Sequence, residues 1–221
     1  MTFLITNGFE QHLINLVHTF EPRLTINEQL PLIEKKTKFN LEEYFPFIYK
    51  LPYGFNKISH HFDSKNAENL FFVLDIHKFV VLRSFENEFP LLLKLYQEHY
   101  PNVKIAFLPT TYYFHEYVNK NYKSEAMTIN VVDLLRYFKK SIQLTQTVER
   151  YLKESKISFL KINDIIVEFN KIKYMQLKSF LGYGHNFCCK FTPPALQYKK
   201  IKNYEEVLNK LSNTEYSMYL K

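Results

Sequence analysis

The sequence contains few of the residues on which several classes of protein depend. Tryptophan is absent, and the 221 residues include only four glycines and two cysteines. The cysteines, Cys188 and Cys189, are adjacent, and adjacent cysteines seldom bridge because the resulting ring is strained. No uncharged apolar run approaches the roughly 20 residues of a membrane span, and the N-terminus lacks the pattern of a signal peptide. These absences predict no disulfide framework and no membrane span, and they favour a reducing, cytoplasmic setting.

Apolar residues and positive charge are both plentiful. Hydrophobic residues make up 46% of the chain, which is enough for one core, and the length predicts a single domain over residues 1–221. The net charge is +7 and comes from dispersed basic residues. A solvated basic surface and an anionic ligand both account for this charge. The basic stretches lack the aromatic interleaving that indicates nucleic acid, so no nucleic-acid partner is predicted.

Short apolar segments that are typical of buried strands alternate with helical patterns along the chain. The predicted strands are residues 3–6, 56–60, 78–82, 103–108 and 157–162. The predicted helices are residues 10–20, 65–76, 86–100, 131–154 and 165–181, and a last helix that begins at Asn203. This alternation predicts an α/β fold of three layers, in which helices flank a central parallel sheet of about four or five strands.

The first strand and the first helix enclose the turn Asn7-Gly8-Phe9-Glu10-Gln11-His12. Strand, turn and helix in this order is the arrangement in which nucleotide-binding proteins hold phosphate at a helix N-terminus. Such loops usually carry several glycines and a lysine or arginine. This turn has the single Gly8, and Glu10 places an acid where an anion would lie. The residues alone leave three interpretations open: a phosphate loop, a degenerate phosphate loop or a plain turn.

Polar side chains stand where predicted strands end. His60 begins a pair of histidines at the end of one strand, and Arg83 follows another. In a parallel α/β fold these positions line the ligand crevice, where a histidine can act as general base and an arginine can bind phosphate. A surface histidine and an arginine paired with a nearby glutamate are the simpler alternatives. Asp164, which follows the last predicted strand, is interpreted as the N-cap of the next helix.

The C-terminal half resembles a known family. The segment SFLKINDIIVEFNKIKYMQLKSFLGY (158–183) resembles a strand, turn and helix with an FLG ending that is found in sulfotransferases. The segment IKNYEEVLNKLSNTEYSMYL (201–220) resembles the closing segment of bacterial and phage members. Enzymes of this family move a sulfuryl group from the nucleotide donor PAPS to a hydroxyl or amine. The resemblance therefore implies a P-loop-like sulfotransferase fold, PAPS or its product PAP as the cofactor, and no metal.

Upstream segments carry the same resemblance and imply the site residues. KISHH resembles the family's Lys-Thr-His segment and puts His60 at the position of the catalytic base. KFVVLRS resembles the segment whose arginine binds the 3′-phosphate of the donor, and it puts Arg83 there. The turn after the first strand matches the donor loop, in which Gly8, Gln11 and His12 would hold the phosphosulfate.

Departures from the family pattern leave two main hypotheses. The loop has no lysine or arginine, and like charges 4 Å apart repel by about 1 kcal/mol even in water, so Glu10 opposes an anionic donor. One hypothesis is a sulfotransferase that uses PAPS and a hydroxyl acceptor, such as a carbohydrate, which residues 39–53 and 109–122 would contact as loops. The other is a catalytically degenerate member that binds a ligand or a partner protein. A nucleotide-sugar-type transferase fold that mimics the pattern is a third alternative.

Overall fold

The computed structural model describes residues 2–19, 24–27, 56–60, 71–78, 86–87, 89–91, 93–94, 97, 104–121, 126–184, 190–195 and 201–220. These residues form an α/β fold, which confirms the class that the alternating pattern predicts. No helix in this part of the chain is both long enough and apolar enough to cross a membrane.

Six strands and five helices are defined in the described ranges. The strands are β1 (Thr2–Thr6), β2 (Leu24–Asn27), β3 (Asn56–His60), β4 (Phe71–Asp75), β5 (Lys104–Phe107) and β6 (Phe159–Lys161). The helices are α1 (Glu10–His18), α2 (Tyr113–Asn121), α3 (Val131–Glu154), α4 (Lys171–Phe180) and α5 (Tyr204–Leu211). Short 3₁₀ turns lie at Ile76–Lys78 and Ser217–Tyr219.

The strands form one sheet in the order β2-β3-β4-β1-β5-β6. Strands β4, β1, β5 and β6 are parallel, and Thr6 at the end of β1 lies opposite Asp75 at the end of β4. Strand β3 is antiparallel to β4, and β2 is antiparallel to β3. The sheet is therefore mixed at one edge, where the sequence predicted parallel strands throughout.

The central strands are buried because their side chains are apolar on both faces. Leu4, Ile5, Ile105 and Phe107 are completely buried, as expected for parallel strands covered by helices. Helices α1 and α4 pack in one apolar cluster with Leu4. Helices α2, α3 and α5 form a second cluster of their own.

The segment around β4 contradicts a sequence prediction. Residues 65–76 were predicted to be helical from the spacing of apolar residues, but Phe71–Asp75 is a strand. The sequence FFVLD is rich in aromatic and β-branched residues, and its place beside β1 decides between the two periodicities. The strand predicted at 78–82 begins at Lys78, which ends a 3₁₀ turn, and its other residues lie outside the described ranges.

The C-terminal helices agree with the prediction more closely. Helix α3 has the predicted bounds, and the Asn130 side chain caps it by accepting from Val132 and Asp133 backbone N–H groups. Helix α4 begins only at Lys171, after a run of turns, and Gly182 with φ 89° follows its end as predicted.

Candidate functional site

The ends of β1 and β5 mark the point where the chain changes direction across the sheet. After β1 the chain continues to β2, β3 and β4 on one side of β1, and after β5 it continues to β6 on the other side. Ligands of open α/β sheets bind in the crevice outside the carboxyl ends of such strands. The turn after β1 and the segment after β5 are therefore the place to look for a site.

The turn after β1 has an unusual backbone. Gly8 has φ 145° and Phe9 has φ 56°, both in the region that L-residues with side chains seldom adopt. Helix α1 follows at once, and its first bond runs from the Leu13 N–H to the Phe9 carbonyl. The Phe9 side chain is 5% exposed and packs in the core cluster of α1 and α4. The turn thus places the Phe9 ring in the core although the Phe9 backbone is left-handed.

A carboxylate from α2 fills the space beside this turn. The Phe9 N–H donates to Oε2 of Glu116 at 3.1 Å. A Cβ on Gly8 would lie 2.6 Å from Cδ of Glu116, so only glycine leaves room for this side chain. Glu116 is 3% exposed. The group that the β1 turn binds in this structure is thus an acid of the protein itself.

Lys120 compensates the buried acids. Its Nζ lies 3.2 Å from Oε1 of Glu116, one helical turn away, and 3.9 Å from Oδ2 of Asp75. Both oxygens of Glu116 therefore accept, one from Phe9 and one from Lys120, as an ionised carboxylate does. Burial raises the pKa of Glu116, whereas the Lys120 charge opposes that rise.

An imidazole and a phenol complete this group of polar side chains. Nδ1 of His77 lies 3.2 Å from Nζ of Lys120 and 2.8 Å from the Tyr137 hydroxyl. Both groups contact the same nitrogen of the ring. Burial first, and then the Lys120 and Lys140 charges, hold the pKa of His77 well below its ordinary value. We call Asp75, His77, Glu116, Lys120 and Tyr137 the Lys120 cluster.

A crevice of about 470 Å³ opens beside the cluster. Its lining includes residues 9–12 from the start of α1 and Asp75, Glu116 and Lys120 from the cluster. Among the described lining residues, three are acids (Glu10, Asp75 and Glu116) and one is a lysine (Lys120). Burial lowers the pKa of His12, which favours its neutral form. The described part of the lining therefore carries more acids than bases, although a helix begins there.

A second polar network links the segments that follow β1, β5 and β6. The Asn7 side chain pairs with the backbone of Thr110 in both directions, with the Thr110 N–H to Oδ1 at 2.6 Å and Nδ2 to the carbonyl at 3.0 Å. Asp164 accepts from the Thr111 N–H at 2.6 Å and from both threonine hydroxyls. Segments after β1, β5 and β6 are thereby joined.

The predicted role of Asp164 as a helix N-cap is wrong. Its backbone has φ 57° and its carboxylate binds the segment after β5, while the Asn170 side chain caps α4 by accepting from Lys173. Asp164 is a structural residue that joins two strand ends, because both of its oxygens are already used.

The structure brings together only part of the predicted site. Gly8 lies in the turn, and Gln11 and His12 line the crevice. His60 ends β3, which is antiparallel to β4, so it lies near the N-terminal ends of β1 and β4. Measured along the strand direction, His60 is roughly 20 Å from Thr6 and Asp75, because each residue of a strand spans about 3.3 Å. Arg83 lies outside the described residues.

All five residues of the Lys120 cluster were missed from the sequence. Asp75 ends an apolar strand that was read as a helix, and Glu116 and Lys120 belong to α2 in the segment 109–122, which was predicted to be an acceptor loop. The available signals were an acid directly after FFVL and a glutamate four residues before a lysine.

Comparison of the chain with profiles of known protein families, with curated proteins and with solved structures finds no significant match. Within the described residues, no group of three or more histidine, cysteine, aspartate or glutamate side chains is placed to hold a metal ion.

Proposed function

We propose that this chain is a ligand-binding module with a sulfotransferase-like α/β architecture and that its β1 turn does not hold a nucleotide donor. The observation that supports this most is the charge of the crevice. Glu10, Asp75 and Glu116 line it, and the ammonium of Lys120 is already shared between two of these acids.

An anionic donor conflicts with this lining. Two like charges 4 Å apart repel by about 1 kcal/mol in water and by about 4 kcal/mol near a protein surface. The phosphosulfate of PAPS would lie beside Glu116, which is buried against Gly8 and lines the crevice. Binding of the donor would require this carboxylate to move or to be protonated.

The position of His60 supports the same proposal. A general base must come within about 2.6–3.2 Å of the proton it removes, or reach it through one water. His60 ends β3, which runs antiparallel to β4, so it lies level with the starts of β1 and β4, whereas the turn and the crevice lie at their carboxyl ends. The base and the donor loop of the resemblance are thus not assembled in one place.

A small polar ligand without phosphate suits the crevice better. The volume of the crevice is within the usual range of small-molecule sites. Carboxylates accept hydrogen bonds from hydroxyl and ammonium groups, and these groups occur together in amino sugars. We therefore propose a sugar-like or amine-bearing ligand.

Sulfuryl transfer is the second candidate, since the turn lies at the carboxyl end of β1 and α1 begins there, where other folds bind phosphate. In that case backbone groups of Gly8, Gln11 and His12 would bind the donor, Arg83 would bind its 3′-phosphate and His60 would act as base.

Thermal unfolding of the wild-type chain separates the two candidates. We expect millimolar PAP to cause no rise in Tm, whereas a ligand at 100 times its Kd stabilises by about 2.7 kcal/mol. Glucosamine should raise Tm more than glucosamine 6-phosphate, which differs by the phosphate alone. A saturable rise with PAP, or an equal or larger rise with the phosphorylated sugar, would contradict the binding-module proposal.

A further inference from the structure

We infer that Glu116 is a built-in occupant of the anion position of the β1 turn and keeps a latent phosphate- or sulfate-binding site closed. This inference rests on the proposed function and deepens it, because it names the group that prevents anion binding. It assigns the block to one side chain rather than to the general acidity of the crevice.

The contacts of Glu116 are those that a bound oxyanion would make. One carboxylate oxygen accepts the backbone N–H of Phe9 at 3.1 Å, and the carboxyl carbon packs directly over Gly8. Close approach to a glycine and acceptance of a backbone N–H at the start of a helix are how phosphate loops hold their ligand. In this structure the anion is the carboxylate of Glu116 on α2, and Glu116 is 3% exposed.

Lys120 offsets part of the negative charge in the closed arrangement. Its Nζ is 3.2 Å from the other oxygen of Glu116, so the pair provides both an anion and the cation that the turn itself lacks. If the Glu116 side chain were removed, this ammonium would be left beside an empty position next to the turn. Lys120 would then provide the missing positive charge to an incoming phosphate.

Glu10 is the matched control for this inference. It is an acid of the same crevice and the first residue of α1, whereas Glu116 accepts the Phe9 N–H and fills the space over Gly8. Glu10→Ala and Glu116→Ala remove the same charge from the same crevice. Only Glu116→Ala also empties the space over the turn.

The test is titration of the wild-type chain and variants with inorganic phosphate at constant ionic strength, followed by thermal unfolding or calorimetry. We expect Glu116→Ala to bind phosphate with a Kd at least tenfold lower than that of the wild type or Glu10→Ala. Adding Lys120→Met to Glu116→Ala should remove the gain. No gain in Glu116→Ala, or an equal gain in Glu10→Ala, would overturn the inference.

Glu116→Gln covers the case in which the alanine variant does not fold. Glutamine keeps the volume and an acceptor for Phe9 but removes the charge, so the turn stays filled and no gain in phosphate affinity is expected. A tenfold gain in this variant would show that charge alone keeps anions out and would overturn the inference. Binding of PAP by the wild type would count against the proposed function, whereas the variant comparison decides the role of Glu116.

Discussion

Gly8 and Glu116 are in direct contact, and the contact leaves no space for a side chain on residue 8, because an added Cβ would lie 2.6 Å from Cδ of Glu116. The two residues are far apart in sequence, in a turn and in a helix. Their contact ties the conformation of the β1 turn to the position of α2.

Gly8→Ala is therefore expected to destabilise the fold for two reasons. The positive φ of 145° disfavours alanine, at a cost of about 1–3 kcal/mol, and the new Cβ meets the Glu116 side chain. In a double-mutant cycle, Glu116→Ala should reduce the cost of Gly8→Ala by about 1 kcal/mol or more, measured by urea unfolding. Equal costs in both backgrounds would show that the two side chains do not interact.

Lys120→Met should destabilise the fold by about 1–3 kcal/mol, since it removes a cation that lies 3.2 Å from the buried carboxylate of Glu116. The expected value is below that of a fully buried pair because the Lys120 side chain is 36% exposed. Lys210→Met is the matched control. Lys210 pairs with Glu206 at the same i,i+4 spacing, but both are more than half exposed, so little or no change in stability is expected. Similar values for both variants would contradict the role of the Lys120 cluster.

Asn7→Ala should cost about 2–3 kcal/mol, because it removes both hydrogen bonds to the Thr110 backbone and leaves that backbone unpaired in a buried position. Asn15→Ala on the exposed face of α1 is the comparison, with an expected change within about 0.5 kcal/mol. Guanidinium unfolding measures both. A cost for Asn7→Ala as small as that of Asn15→Ala would mean that the pairing of Asn7 with the Thr110 backbone does not stabilise the fold.

The acid stability of the fold should depend on His115. Burial lowers the pKa of His115 from 6.5 to about 4, so the unfolded chain binds more protons than the folded protein between these values. Its contribution to stability is present above pH 6.5 and is lost as the pH falls toward 4. His115→Phe keeps a ring against Tyr112 and removes the titration. The variant should lose less stability than the wild type between pH 6.5 and 4, and parallel pH profiles would contradict this assignment.

Much of the fold can be predicted from the sequence where apolar periodicity is long or the strand is short and apolar. Helix α3 follows 24 residues of one pattern, and β1 and β5 lie within the predicted bounds to one or two residues. The helix predicted over residues 65–76 is wrong because the apolar spacing of this segment suits both a helix and a strand. Pairing with β1, which the local sequence does not encode, decides the outcome.

The candidate site was predictable only in part. The turn at Gly8 was located from its strand, glycine and helix, which are local signals. Its occupant comes from α2, more than 100 residues away, and only the fold brings Glu116 to Gly8. His60 was assigned to the crevice on the assumption that its strand is parallel to the others, and the antiparallel pairing of β3 reverses that placement.

The hydrogen bond from the Phe9 N–H to Glu116 can be measured directly by a pH titration of the ¹H–¹⁵N NMR spectrum. Burial raises the pKa of Glu116, so the Phe9 amide resonance should shift with an apparent pKa above the ordinary glutamate range. The titration should vanish in Glu116→Gln, which leaves the other carboxyl groups in place. A Phe9 amide that does not titrate, or that titrates unchanged in Glu116→Gln, would contradict the claim that this carboxylate occupies the β1 turn.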